Sequence, residues 1–101
     1  MENSLETSPT GFRYIAILGP VDWESAPSIV EKILSLIGAV EVTRIANDDG
    51  ISVDTKWWNF TFNGKRFRIV HEEWPQGLSI EPIETVDLPI LFEITQRLLA
   101  A

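Results

Sequence analysis

The stretch Trp57-Trp58-Asn59-Phe60-Thr61-Phe62-Asn63-Gly64-Lys65-Arg66-Phe67-Arg68-Ile69-Val70-His71 decides the fold of this chain. Asn63-Gly64 stands between two alternating runs rich in aromatic and β-branched residues, the strongest short-range signal for a hairpin with a two-residue turn. Such a turn sets register, and register sets which side chains share a face. If Phe62 pairs with Lys65, then Phe60 meets Phe67, Asn59 meets Arg68, Trp58 meets Ile69 and Trp57 meets Val70. One face then carries Trp58, Phe60, Phe62, Phe67 and Ile69, a core face. The other carries Trp57, Asn59, Thr61, Arg66, Arg68 and Val70, mostly polar but with a tryptophan among arginines.

Working outward toward the C-terminus, Trp74-Pro75-Gln76-Gly77 reads as a type I turn, with Pro second and Gly fourth. Pairing Glu73 with Leu78 would place His71 opposite Ile80, Val70 opposite Glu81 and Arg68 opposite Ile83. Leu78-Ser79-Ile80-Glu81 is a short strand, and Pro82, which cannot donate to a ladder, marks it as an edge. Asp87-Leu88-Pro89 opens a helix, with Asp87 as N-cap and Pro89 in the first turn. Its apolar stripe is Ile90, Leu91, Ile94, Leu98 and Leu99.

Toward the N-terminus, Val40, Val42 and Ile45 belong to a strand that ends in the turn-rich Asn47-Asp48-Asp49-Gly50. A simple hairpin there would put Val40 opposite Trp57. That conflicts with the polar face unless a bulge lies near Asp54-Thr55-Lys56 or residues 47–56 form a mobile loop. Ile29, Val30, Ile33, Leu34 and Ile37 recur at helical spacing. Ser25 is the N-cap, because Pro27 is tolerated only in the first turn, and Gly38 closes the helix. Asp22-Trp23-Glu24 forms a lead-in turn with Trp23 under the helix start. Phe12–Leu18 is apolar at both parities and reads as a strand buried on both sides.

The order is β-α-β-β-β-β-α. The expected class is α+β: two layers, a mostly antiparallel sheet of four to five strands, and two helices on one face. Residues 1–11, polar and aperiodic, are assigned to a disordered N-terminal tail, and 12–101 to a single α+β domain. With 101 residues and 45% hydrophobic content, the chain has material for one core.

Charge and composition narrow the function. The net charge is −7, from 15 acidic and 8 basic residues. An acidic surface repels phosphate backbones and anionic membranes. The chain has no cysteine, which removes disulfides, thiol catalysis and cysteine-based metal sites. Residues 1–6 lack a basic n-region and an apolar h-region, so no signal peptide is expected. No apolar run approaches the ~20 residues of a membrane span. These features lead to the expectation of a soluble, cytoplasmic protein.

Chemical motifs are sparse. His71-Glu72-Glu73 contains the single histidine, but adjacent strand residues point to opposite faces and cannot converge on one atom. His71 on the core side reads as a hydrogen-bonded core histidine. Asn47, Asp48, Asp49 and Asp54 lack the alternating oxygens and closing glutamate of a calcium loop. Serine-elbow, phosphate-loop and dinucleotide patterns are missing. No catalytic residue, metal or cofactor is expected.

The remaining feature is the open sheet face, where Trp57, Val70 and Ile83 would cluster among Arg66, Arg68, Glu72 and Glu81. Exposed clusters of this kind mark contact surfaces, and tryptophan and arginine are enriched among hot spots. The plainer reading is a solvated Arg68–Glu81 ladder with Trp57 lying flat over it, or coverage of the patch by the tail or by residues 47–56. In size and charge the chain resembles small acidic α/β bacterial secretion chaperones, whose layout begins with a helix where this one begins with a strand. That resemblance implies an adaptor that holds a protein partner. The function expected is thus a non-catalytic interaction module that binds a protein partner or self-associates as a homodimer through Trp57, Arg66, Arg68, Val70 and Ile83. The alternative is a single-stranded nucleic-acid binder using Trp57 for stacking and Arg66 and Arg68 for phosphates, which the net charge disfavours.

Overall fold

The computed structural model describes residues 1–45, 55–73 and 76–100. Its elements are β1 (Asn3–Thr7), β2 (Arg13–Ile17), α1 (Ala26–Ile37), β3 (Val40–Ile45), β4 (Thr55–Phe62), β5 (Lys65–Glu73), β6 (Gln76–Pro82) and α2 (Leu88–Leu99). Among the described residues the strands form one open sheet in the order β1-β2-β6-β5-β4-β3, antiparallel at every pairing.

The central hairpin has the register that its turn demands. Asn63 and Gly64 both adopt positive φ, 51° and 73°, as the type I′ turn requires. Phe62↔Lys65, Phe60↔Phe67, Asn59↔Arg68, Trp58↔Ile69 and Trp57↔Val70 are all paired. Trp58, Phe60, Phe62, Phe67 and Ile69 are buried in one cluster with Ile15, Ile17, Leu78 and Ile80 from the neighbouring strands. The same cluster takes Ala26, Val30, Ile33 and Ile37 from α1 and Leu91, Ile94 and Leu98 from α2. Both helices therefore cover one face, and among the described residues the opposite face carries none.

The helix ends follow their sequence signals. Ser25 is the N-cap of α1, and Asp22 braces it: the Ser25 N–H donates to Asp22 Oδ1 at 2.7 Å and the Asp22 N–H to Ser25 Oγ at 3.2 Å. Ser25, through its backbone N–H first and its side chain second, holds the Asp22 carboxyl below the usual carboxylate range. What these bonds contribute to stability is present in full above that range and fades as pH falls through the lowered value. Gly38 ends α1 at φ 71°, and the last turn is capped from outside, where Arg97 Nη1 of α2 donates to Ile37 O at 2.8 Å. Asp87 is the N-cap of α2, with Pro89 in its first turn.

Four expectations are corrected. The sheet has six strands, not four or five, because Asn3–Thr7, assigned to the disordered tail, pairs with β2 as β1. Its composition is polar because it is an edge strand, and only Leu5 among its residues packs against the core cluster. Second, β2 is buried on one side only: Ile15 and Ile17 face the core, Tyr14 and Ala16 are half-buried, and the flanking Phe12 and Leu18 are 46% and 50% exposed. Third, the β5–β6 hairpin is two residues tighter than the type I reading, with Glu73↔Gln76 and His71↔Leu78, so Gln76 and Gly77 lie in β6. An even slip changes partners but leaves every side chain on its face. With β2 beside it, β6 is also interior rather than an edge; Pro82 ends it. Fourth, Val40 pairs with Thr61 rather than Trp57, and the irregularity between β3 and β4 lies between Val40 and Thr43, where Glu41 has φ 53°, while Thr55 and Lys56 pair regularly with β5 and Asp54 lies outside the described residues. The expected turn Asn47–Gly50 and the weighed cation ligands Asn47, Asp48, Asp49 and Asp54 lie outside the described residues, as do Trp74 and Pro75.

Candidate interaction face

Strand pairing sets out the open face row by row. The central row runs Ile45–Trp57–Val70–Ser79–Ala16–Ser4 across all six strands. The next row along is Thr43–Asn59–Arg68–Glu81, which Tyr14 continues on β2. Beyond it comes Thr61–Arg66, and there the Ile83 N–H donates to Arg66 O at 3.0 Å. In the other direction Glu72 pairs with Gly77.

Of the five residues expected to form the contact patch, Trp57, Val70 and Arg68 come together, and Arg66 and Ile83 sit side by side in the next row beyond Arg68. Trp57 is half-buried, with the Arg68 guanidinium 4.8 Å above its ring. Arg68 Nε also donates to Asn59 Oδ1 at 3.3 Å. Val70 is only 8% exposed, fitted between Trp57 and Ser79. Arg66 and Ile83 are both exposed and lie two residues beyond Arg68 and Glu81 on their strands, ~7 Å at the usual rise, and four beyond Val70 and Ser79. For Ile83 the two-residue slip of the second hairpin is the cause: it puts Ser79, not Glu81, beside Val70, and Glu81, not Ile83, beside Arg68, whereas the place of Arg66 is set by β5 itself. Arg68 and Glu81 do face each other, as a solvated ladder requires. Yet Arg68 turns to Asn59 and Trp57, and among the described residues the ion pair within 4.0 Å is Glu93–Arg97.

The face holds a feature that no single strand reveals. A groove of about 480 Å³ lies along β2, β6 and β5, with Ala16, Ser79 and Val70 as its floor. Phe12 and Tyr14 form one side, their rings 5.9 Å apart. Glu72 and Glu81 line it as well. Small side chains in the middle of a sheet flanked by aromatic ones leave a trough. The even-numbered positions Phe12, Tyr14 and Ala16 carry that alternation in sequence, but it becomes a site only when β2 lands beside β6.

Burial pushes the Glu81 carboxyl above its ordinary range; Arg68 opposes that shift and Glu72 adds to it. A raised value means that the folded state holds the proton more tightly than the unfolded one. The ionised carboxylate thus weakens the fold above the raised value, and the penalty vanishes as pH falls through it. Glu81→Gln is expected to raise the unfolding free energy from urea melts at pH 7, by less than about 1 kcal/mol after solvent screening. At pH 4 the two proteins should unfold together. A loss of stability at pH 7 would show instead that the Arg68–Glu81 attraction dominates.

His71 and Glu72 diverge as adjacent strand residues must. Glu72 is exposed on the open face, while His71 is 0% exposed in the core. His71 Nε2 lies 2.7 Å from Val21 O, and since a carbonyl only accepts, Nε2 carries the proton. Its ring lies 5.9 Å from that of Trp23, over which Lys56 Nζ sits at 3.9 Å while also donating to Trp23 O at 2.9 Å. The imidazole thus fastens the turn before α1 to the sheet. His71→Ala is expected to lower stability by about 2 kcal/mol, from the lost hydrogen bond and the space left behind. Partner binding measured below the melting range should persist; its loss in a folded variant would give His71 a direct role.

Comparison with family models, with curated proteins and with solved structures returns no match to this chain. Among the described residues no helix is long and apolar enough to cross a membrane.

Proposed function

We propose that this chain is a small non-catalytic interaction module that binds a protein partner, or a second copy of itself, through the open sheet face. The observation that carries this reading is the groove over Ala16, Ser79 and Val70, with the exposed Phe12 at one end and the Trp57–Arg68 stack on the adjoining strand. A face that carries no helix among the described residues, with a trough, partly exposed aromatic rings and an arginine held in place, has the composition of a contact surface. The structured β1 supports it too: residues 3–7 extend the sheet edge instead of lying over the face.

The nucleic-acid alternative draws less support. Arg68 already occupies one face of the Trp57 ring, and Glu72 and Glu81 line the adjacent groove. Both features oppose a stacked, phosphate-bearing strand. The adaptor reading suggested by secretion chaperones uses the same surface and differs only in the partner.

The test is capture of a partner from the native cell extract, with sedimentation of the purified protein over a range of concentrations. Trp57→Lys should abolish the captured band or the concentration-dependent dimer. Lys32→Glu, on the exposed side of α1, should leave both intact. If both variants behave as wild type, the open face is not the contact surface.

A further inference from the structure

The groove has a chemical preference beyond shape. Among the described residues, no ion pair within 4.0 Å engages its carboxylates. Arg68 pairs with Glu81 across the strands, yet its Nε is committed to Asn59 and its guanidinium plane to Trp57. Glu72 stands on the same face one row beyond Val70. The floor between the two carboxylates is uncharged and small or apolar: Ala16, Ser79 and Val70. Glu81 sits four residues along β6 from Gly77, the partner of Glu72, so the carboxylates mark two ends of the trough ~13 Å apart along the strands. An extended chain spans that distance with four residues.

We infer that the groove accepts an extended basic segment of a partner protein, with two lysine or arginine side chains four positions apart seated at Glu72 and Glu81. The residues between them lie on Ala16, Ser79 and Val70. The long aliphatic stem of a lysine or arginine suits the Tyr14 and Phe12 side of the trough, and its head group suits the carboxylates. The net charge of −7 favours approach of a cationic segment at long range. Burial and Glu72 both raise the protonation of Glu81, and a bound cation would reverse that shift. This inference rests on the open face being the contact surface and adds the chemistry of what it contacts.

The experiment titrates the full chain with a capped pentapeptide carrying lysine at its first and fifth positions and valine or serine between, followed by amide chemical shifts. Saturable shifts should concentrate at Ala16, Val70, Gly77 and Ser79. Affinity should fall at least tenfold in a Glu72→Gln, Glu81→Gln double variant and should fall as salt rises. A peptide with lysines two apart should bind more weakly, and one with glutamates in place of lysines should give no shifts. Binding unchanged in the double variant, or shifts spread over the acidic surface elsewhere, overturns the inference. The broader reading fails separately: a partner lost on Trp57→Lys but captured equally by the double variant keeps the face and removes the basic segment. A single-stranded oligonucleotide that shifts the same amides would sink both.

Discussion

Phe67→Ala is expected to cost about 3–5 kcal/mol, the usual range for emptying a buried aromatic site, and that is a large part of the 5–15 kcal/mol that holds a domain together. Phe67 is 0% exposed at the centre of the sheet. Its ring stacks on Phe60 with centroids 5.5 Å apart and planes 14° off parallel, and it meets Phe62 edge-on at 6.4 Å. Truncation therefore removes buried area and two specific ring contacts. The chain neighbour Arg66 points to the opposite, exposed face, so Arg66→Ala should change the unfolding free energy by less than about 1 kcal/mol. Equal effects from the two substitutions would mean that the register around Asn63-Gly64 is wrong, and the assignment of the open face would fall with it.

The pair Trp57 and Trp58 offers the second large contrast: identical side chains, adjacent in sequence, on opposite faces. Trp58 is 7% exposed within the core cluster and pairs with Ile69. Trp58→Ala should destabilise by about 3–5 kcal/mol. Trp57 is half-buried over Val70, in contact with Arg68. Its truncation removes a cation–π contact worth about 0.5–1 kcal/mol at such a site and uncovers Val70, so the loss of stability should be a fraction of that at Trp58. Partner binding or dimerisation should behave the other way, with Trp57→Ala weakening it by about 2 kcal/mol or more, as hot-spot residues do. Paired thermal melts and binding isotherms separate the two effects. If Trp57→Ala destabilises as much as Trp58→Ala and leaves association unchanged, Trp57 is a structural residue and the contact surface lies elsewhere.

The legible parts of this fold are those set by local rules. A two-residue turn admits one register, so Phe60↔Phe67 and Trp57↔Val70 follow from the position of Asn63-Gly64 alone. Helix boundaries at Ser25, Gly38 and Asp87 stand where the sequence puts them: Pro27 and Pro89 confine the starts to the first turn, with no side-chain cap bond from Ser25 or Asp87, and Gly38 ends α1 in the left-handed region. The divergence of His71 and Glu72 follows from strand geometry. In the second hairpin the residue pattern gives the correct faces but the wrong partners, because a slip of two residues preserves parity while moving Ser79 into the place expected for Glu81.

By itself, then, the sequence determined the α+β class, the central hairpin with its two faces, both helices and their apolar stripes. Each depends on residues within one turn or one hairpin of each other. Tertiary structure alone decided that residues 3–7 become a strand, that β2 inserts between β1 and β6, and that Phe12, Tyr14 and Ala16 meet Ser79, Val70 and Glu81 to form a groove. The pairing that makes the groove joins Ile15 to Ile80 and Ile17 to Leu78, across most of the chain, and no local propensity specifies it. It forms because a sheet edge with free backbone groups and an uncovered apolar row must find its partner somewhere along the whole chain.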